Sequence, residues 1–379
     1  MLSSFGTMWT EFVAMFMSFI MSFGTLFGIY VPPSTSAPED YLDSDVKNVI
    51  LLIGDGMGFY HLEKAEQERN FTLTMDEFSI RGDSMTRSFS AAVTDSAAGG
   101  TALATGIRTT NGCIGVYPMD MTATFSYPKN ITELCSERGM LTGVITSDET
   151  SGATPSAFSA HSSDRGNKED ITDDQLRSPI DLIWGTENGL VSKSDARAHG
   201  YTYVTSYDEM MALEEGSRSF AHFTNDLWTL EQSDASTPTL KQMTVKAIDI
   251  LDDTDEGFFL MVEGAHIDKH SHSNDDAKMT EAVEAFDKTI EYVLEYAKND
   301  GETLVIITAD HETGGIVKND NGTYSFTQGS HSAANVPVLV YGSRNIIQTG
   351  ETLNNYEIPI RIAYALGFTE DQFPCEVAA

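Results

Sequence analysis

Short, largely apolar runs recur along the chain from about residue 45 onward, each followed by a polar or amphipathic stretch. Val49–Ile53 (VILLI), Met140–Thr146 (MLTGVIT), Gly257–Val262 (GFFLMV) and Thr303–Thr308 (TLVIIT) have the length and bounding residues of strands buried on both faces. Val336–Tyr341 (VPVLVY) reads as a fifth strand, with Pro337 near its start. His61–Arg69 is polar and helical. Ala277–Lys298 sets Met279, Val283, Phe286, Ile290, Val293, Leu294 and Ala297 at helical spacing. Strands alternating with helices predict βαβ units. The expected fold class is therefore α/β, with a large, mainly parallel central sheet sandwiched between helices. Residues 166–240 are more polar and less periodic. They read as an excursion from the sheet, with helical pieces such as Pro179–Trp184.

Ahead of this pattern lies a different one. Residues 12–31 form an uncharged run of twenty, rich in Phe and Met, long enough to span a bilayer as a helix. The next stretch, Pro32 to Asp40, reads as a linker. Residues 1–40 are thus a signal-like or anchor-like segment, and 41–379 a single domain. Export is the expected location: periplasmic, extracellular or membrane-anchored, with any membrane contact made through 12–31. The basic residues usual ahead of such a run are missing, since no Lys or Arg precedes Lys47.

Charge narrows the function. Fifty-seven acids against 23 bases give a formal −34. Such a field repels phosphate backbones and excludes stable nucleic-acid binding. It also repels small anions, so an anion-processing site here needs its own positive charge, such as metal ions. The acids are spread along the chain, as in a solvated surface adapted to high salt. Three cysteines, Cys113, Cys135 and Cys375, form neither a disulfide framework nor a zinc motif.

Parallel α/β sheets bind ligands at the carboxyl ends of their strands. After VILLI comes Gly54-Asp55-Gly56-Met57-Gly58. After GFFLMV comes Glu263-Gly264-Ala265-His266-Ile267-Asp268-Lys269-His270-Ser271-His272. After TLVIIT comes Ala309-Asp310-His311-Glu312. Three strands thus deliver acids to one edge, two of them with histidines close by. Five of the nine histidines (His266, His270, His272, His311, His331) lie in two late neighbourhoods. Asp268 and His272 share a face if the turn between them is helical. Carboxylate with imidazole suits Zn²⁺, and oxygen donors alone suit Mg²⁺. A lone histidine is ordinarily a satisfied structural residue, and His266 and His270 are read that way.

Thr94-Asp95-Ser96-Ala97-Ala98-Gly99-Gly100 has the signature of a helix start, with an Asp or Thr cap and Ser96 in the first turn. Taken alone, Ser96 is a capping residue. It becomes a nucleophile only if something activates its hydroxyl, and no G-x-S-x-G elbow is present. Gly152-Ala153-Thr154-Pro155 follows MLTGVIT, and Arg165 lies beyond it, a candidate bidentate clamp for an anion.

Together IGDGMG, TDSAAGGTA, ATPSAFSAHSSDR, MVEGAHIDKHSH, TADHETGG and GSHSAANVPV resemble the alkaline phosphatase family, from Asp55 to His331. The resemblance implies that Asp55, Ser96, Asp310 and His311 hold one Zn²⁺, and that Asp268, His272 and His331 hold a second. It implies Mg²⁺ at Asp55, Thr154 and Glu263, with Ser96 as nucleophile and Arg165 as phosphate clamp. The implied activity is hydrolysis of small phosphomonoesters with broad range. Ser96 attacks in line, and the phosphoserine is then hydrolysed by zinc-bound hydroxide. A homodimer is the implied assembly. One position departs: where bacterial relatives carry Asp and animal relatives His, this chain has Gly152. Lys269 then lacks its usual acidic neighbour, and Asp148 and Glu149 are the nearby acids that could replace it. A two-zinc phosphodiesterase fits less well, given Ser96, Arg165 and the Thr154–Glu263 pair. A sulfatase would need C/S-x-P-x-R, which is absent near Ser96. A purely metal-binding protein leaves the nucleophile and clamp unexplained.

Overall fold

A computed structural model describes residues 46–117, 127–224, 226–232, 234–343 and 345–374. The apolar run 12–31, the linker and Cys375 lie outside the described residues. Ten strands form one sheet: β1 (Asn48–Gly54), β2 (Ile80–Met85), β3 (Leu141–Glu149), β4 (Leu182–Thr186), β5 (Thr202–Val204), β6 (Ser219–Phe223), β7 (Phe258–Gly264), β8 (Thr303–Thr308), β9 (Val336–Tyr341) and β10 (Thr352–Asn354). Their order is β10-β2-β9-β8-β1-β7-β3-β4-β6-β5. Every pairing is parallel except those of β9, which runs antiparallel to both β2 and β8. Pro337 is tolerated within β9 because the ladder to β8 begins only at Leu339.

All five apolar runs are strands, and they occupy the centre of the sheet. β1 shows why. Ile50 and Leu52 enter one apolar cluster, while Val49, Leu51 and Ile53 enter the other, and all five are fully buried. Successive side chains of a strand point to opposite faces. A strand covered on both faces must therefore be apolar at every position. The helices Leu240–Leu251 and Asp276–Asp300 cover the first face through Met243, Ile250, Val283 and Phe286. The helices Ser96–Thr105, Ile131–Glu137, Lys168–Arg177 and Glu357–Ala365 cover the second through Leu103, Ile131, Ile171 and Ile362.

Two readings are corrected. Residues 166–240 do not leave the sheet, because they supply β4, β5 and β6. Pro179–Trp184 is not helical, since Leu182–Trp184 opens β4. Short apolar runs do not distinguish a buried strand from a helix turn by period alone. β2 was not foreseen because its exposed Arg81 and partly exposed Asp83 hide the alternation.

β8, β1, β7 and β3 are consecutive neighbours, and their carboxyl ends carry Asp310-His311, Asp55, Glu263 and Asp148-Glu149. The topology thus gathers into one place residues that the chain holds far apart.

On the far side of the sheet, β6 buries His222. Its Nε2 lies 2.9 Å from Thr150 Oγ1 and its Nδ1 3.2 Å from the Tyr203 hydroxyl. Burial pushes its pKa down to about 4. The unfolded chain takes up this proton near pH 6.5, whereas the folded chain resists until about 4. The contribution to stability is therefore complete above pH 6.5 and is lost as pH falls from there through 4. Urea unfolding across that window should show the native protein losing about 3 kcal/mol more than His222→Gln. Equal losses would show that the ring titrates normally.

Candidate active site

Asp55 leaves β1 at its last hydrogen bond, where its backbone N–H donates to Gly264 O at 3.2 Å. The next residue, Gly56, has φ +73°, and a Cβ there would stand 2.8 Å from Asp268 Cα. Only glycine lets this loop press so closely on the helix His266–His272. The Gly56 N–H donates to Asp310 Oδ1 at 3.2 Å, and Thr313 N–H donates back to Gly56 O at 3.0 Å. The ends of β1 and β8 are thereby tied together.

Ser96 opens the helix Ser96–Thr105, and Asp95 is its cap. Asp95 Oδ1 accepts from Ala98 N–H at 3.0 Å. Its Oδ2 accepts from Gly112 N–H at 2.9 Å and from Arg165 Nη1 at 3.2 Å. One carboxylate thus starts the helix and aims the arginine. Gly99 lets that helix approach, since a Cβ there would lie 2.8 Å from Asp310 O. Ser96 and Arg165 line the same cavity, of about 240 Å³, with Asp55, Glu263, Asp268 and Lys269.

Two clusters have the donor sets of metal sites. Asp55, Asp310 and His311 bring one ligand atom each to within 4.8 Å of one another, and so do Asp268, His272 and His331. In the first, His311 Nε2 lies 3.5 Å from Asp55 Oδ1, 3.3 Å from Asp310 Oδ2 and 3.1 Å from Ser96 Oγ. The Thr313 hydroxyl donates to Asp268 and therefore accepts from His311 Nδ1, 3.1 Å away. That assigns the proton to Nδ1 and leaves the Nε2 lone pair facing the cluster. In the second, His272 Nδ1 donates to Gly329 O and His331 Nδ1 to Thr94 O, each at 2.9 Å. Their two Nε2 atoms then face each other at 3.1 Å beside the Asp268 carboxylate, 3.3 and 3.6 Å away. Without a metal ion a proton on His272 Nε2, donated to Asp268, relieves this contact, and a metal ion at the same place would take up both lone pairs. The short ladder pairing Glu312–Thr313 with His331–Ser332 brings His331 there.

Electrostatics point the same way. Asp55, Glu263, Asp268 and Asp310 are each less than a tenth exposed. Burial, then the charges of Asp310, Asp268 and Glu263, drives the Asp55 pKa well up. Burial raises Glu263 to about 8. Burial also opposes the charge of Asp268, but hydrogen bonding to His272 and the charge of His311 outweigh it and its pKa falls. His272 rises to about 9 through its bond to Asp268. Unpaired buried carboxylates are costly, and cations remove the cost. Asp55 Oδ1, Asp310 Oδ2 and Thr154 Oγ1 are buried without a hydrogen bond, as metal ligands would be.

Every residue singled out from the sequence falls in or beside this centre except His266 and His270, which pack against Trp228. Sequence reasoning missed His61. It is fully buried, accepts from Gly58 N–H at Nδ1 (3.1 Å) and donates from Nε2 to Ser271 Oγ (3.0 Å), which donates to Ile267 O (2.7 Å). This relay clamps the Asp55 loop to the helix of Asp268 and His272. Burial lowers its pKa to about 4, so the ring is neutral and the relay intact at neutral pH. No spacing in the sequence announces it.

The alkaline phosphatase family model matches residues 46–182 and 184–363. Alkaline phosphatase 4 of Bacillus subtilis (strain 168) is 34% identical over 300 residues, covering 74% of this chain and 64% of that protein. The chain thus spans less than two thirds of that relative's length. Alkaline phosphatase of Escherichia coli (strain K12) is 31% identical over 381 residues, covering 82% and 80%. Among solved structures, a variant of alkaline phosphatase TAB5 with Mg bound in its M3 site superposes with a TM-score of 0.74 at 30% identity. That match covers 86% of this chain and 99% of TAB5. The fold, the clustered ligands and these likenesses agree, and the chain belongs to the alkaline phosphatase family.

Proposed function

We propose that this protein hydrolyses phosphate monoesters of broad range, with Ser96 as nucleophile. The observation that carries this reading is one cavity lined by a helix-capped serine, an aimed arginine, and Asp55 and Asp268, one carboxylate from each of the two imidazole–carboxylate clusters. The donor sets fit two Zn²⁺ ions, one at Asp55, Asp310, His311 and Ser96, the other at Asp268, His272 and His331. The oxygens of Asp55, Thr154 and Glu263 fit Mg²⁺. The Mg in the M3 site of the TAB5 variant supports a third cation here. When bound, these ions supply Lewis acidity and positive charge.

The chain's own groups do the rest. Ser96 Oγ attacks phosphorus in line with the ester oxygen; the new O–P bond forms as the old one breaks, and the alcohol leaves. Arg165 donates two N–H bonds to non-bridging oxygens and holds the group in register for attack. Asp95 keeps that guanidinium in place. Water then cleaves the phosphoserine, returning Ser96 and inorganic phosphate. A cavity of about 240 Å³ is small for a whole organic ligand, for which pockets run about 300–1,000 Å³. It holds the phosphoryl group and leaves the alcohol outside, hence the broad range. Among the described residues no helix is long and apolar enough to cross a membrane. Export is proposed from the run 12–31 alone, ahead of one catalytic domain that works as a homodimer.

With Zn²⁺ and Mg²⁺, the protein should hydrolyse p-nitrophenyl phosphate at alkaline pH, and a chelator should abolish turnover. Ser96→Ala should lose about three orders of magnitude in kcat while retaining its zinc. Zinc retained with turnover undiminished would remove Ser96 from the chemistry. Arg165→Ala should lower kcat/KM by about ten- to a hundredfold, the worth of charge-assisted hydrogen bonds, and weaken inhibition by inorganic phosphate similarly. Unchanged phosphate inhibition would count against the clamp.

A further inference from the structure

Gly152 leaves the third cation site without a side chain at the residue that caps the helix Ala153–Ala157. The site's protein oxygens are Asp55 Oδ1 and Thr154 Oγ1, both buried and without hydrogen bonds, and the Glu263 carboxylate. Thr146 occupies one oxygen of Glu263, since its hydroxyl donates to Oε2. Three protein donors leave a magnesium ion short of its six, so water must complete the shell. Those waters need acceptors that hold their hydrogens in place.

Asp148 is placed to be that acceptor. It lines the same cavity as Asp55 and Glu263. Its backbone N–H donates to Thr146 Oγ1 at 3.0 Å, the same hydroxyl that donates to Glu263. The β3–β4 register slips between Ile145 and Glu149, and such an irregularity re-aims the side chains within it. The carboxylate is then held by Lys269 Nζ, from the residue next to the ligand Asp268. Asp148 thus spans from the Glu263 side of the cavity to the Asp268 side. Glu149 is the weaker rival. Its carboxylate is taken by Lys168, is more exposed, and shares no partner with Glu263.

We propose that Asp148, held by Lys269, is the outer carboxylate of the magnesium site and orders the waters of an ion bound by Asp55, Thr154 and Glu263. It does the work that Gly152 cannot, as a positioning residue and not a ligand. The inference rests on the Mg²⁺ reading above.

The test reads metal binding and not turnover. The full-length protein, loaded with zinc, is titrated with Mg²⁺ by calorimetry, and bound zinc and magnesium are counted by elemental analysis. Asp148→Asn should weaken Mg²⁺ about ten- to a hundredfold, as loss of an outer partner does, with the zinc count unchanged. Asp148→Glu should recover most of the affinity, and Glu149→Gln should stay within about twofold of the native protein. Should Asp148→Asn fail to fold, Lys269→Gln applies the same test at a half-exposed side chain, with a severalfold loss expected. Native affinity in Asp148→Asn or, in its place, Lys269→Gln overturns the proposal, as does an equal loss in Glu149→Gln. Absence of Mg²⁺ binding by the native protein overturns the third-site reading itself, and this inference with it.

Discussion

Asp55, Glu263 and Asp268 stand almost wholly out of water around one cavity, with buried Asp310 beside Asp55, and the bases that line this cavity are Arg165, Lys168 and Lys269. Carboxylates so placed must take up protons or find cations. The surrounding architecture serves the second outcome. Each imidazole has its Nδ1 proton engaged, at Thr313, Gly329 or Thr94, so each Nε2 lone pair faces inward. A site built this way binds cations, and the raised pKa values of Asp55, Glu263 and His272 show that protons compete for it where no metal is bound. Under the proposed function, the positive charge of bound metal ions would offset the repulsion between an anionic ester and a chain of formal charge −34.

Close backbone approach is the second requirement. Gly56 lets the β1 loop rest on the helix that carries Asp268, and Gly99 lets the Ser96 helix rest on Asp310. A glycine inside a helix costs about 1 kcal/mol relative to alanine, and here that loss is accepted for contact. The His61–Ser271 relay and the Thr313 hydroxyl then lock the pieces in register. None of these groups needs to touch substrate. They hold Asp55, Asp268, Asp310 and His311, which follow β1, β7 and β8, in fixed positions relative to one another.

At Gly152 the cap of the helix Ala153–Ala157 brings no side chain to the cavity. The acid that reaches Lys269 comes instead from the end of β3, where Asp148 leaves an irregular stretch of the ladder to β4. Lys269 sits on the same turn as Asp268, so this ion pair ties the end of β3 to the helix that carries Asp268 and His272.

Much of this was legible in the sequence, for local reasons. A strand buried on both faces must be apolar throughout, so VILLI, GFFLMV and TLVIIT announce the centre of the sheet, and the acids following them announce its active edge. The resemblance of the motifs then named candidate ligands, and the fold brings Asp55, Asp310 and His311, and Asp268, His272 and His331, together. What stayed hidden depends on partners distant in the chain. β4 to β6 were lost because they are short and set among polar residues, and a run as brief as Leu182–Trp184 does not separate a buried strand from a helix turn by its period. His61 looked like any residue of a polar helix until the fold set it against Ser271. Asp148 and Glu149 are adjacent acids with equal claims on paper, and only the pairing of one with Lys269 and the other with Lys168 separates them. Burial and hydrogen-bond partnership are properties of the folded neighbourhood, and no single stretch of chain contains them.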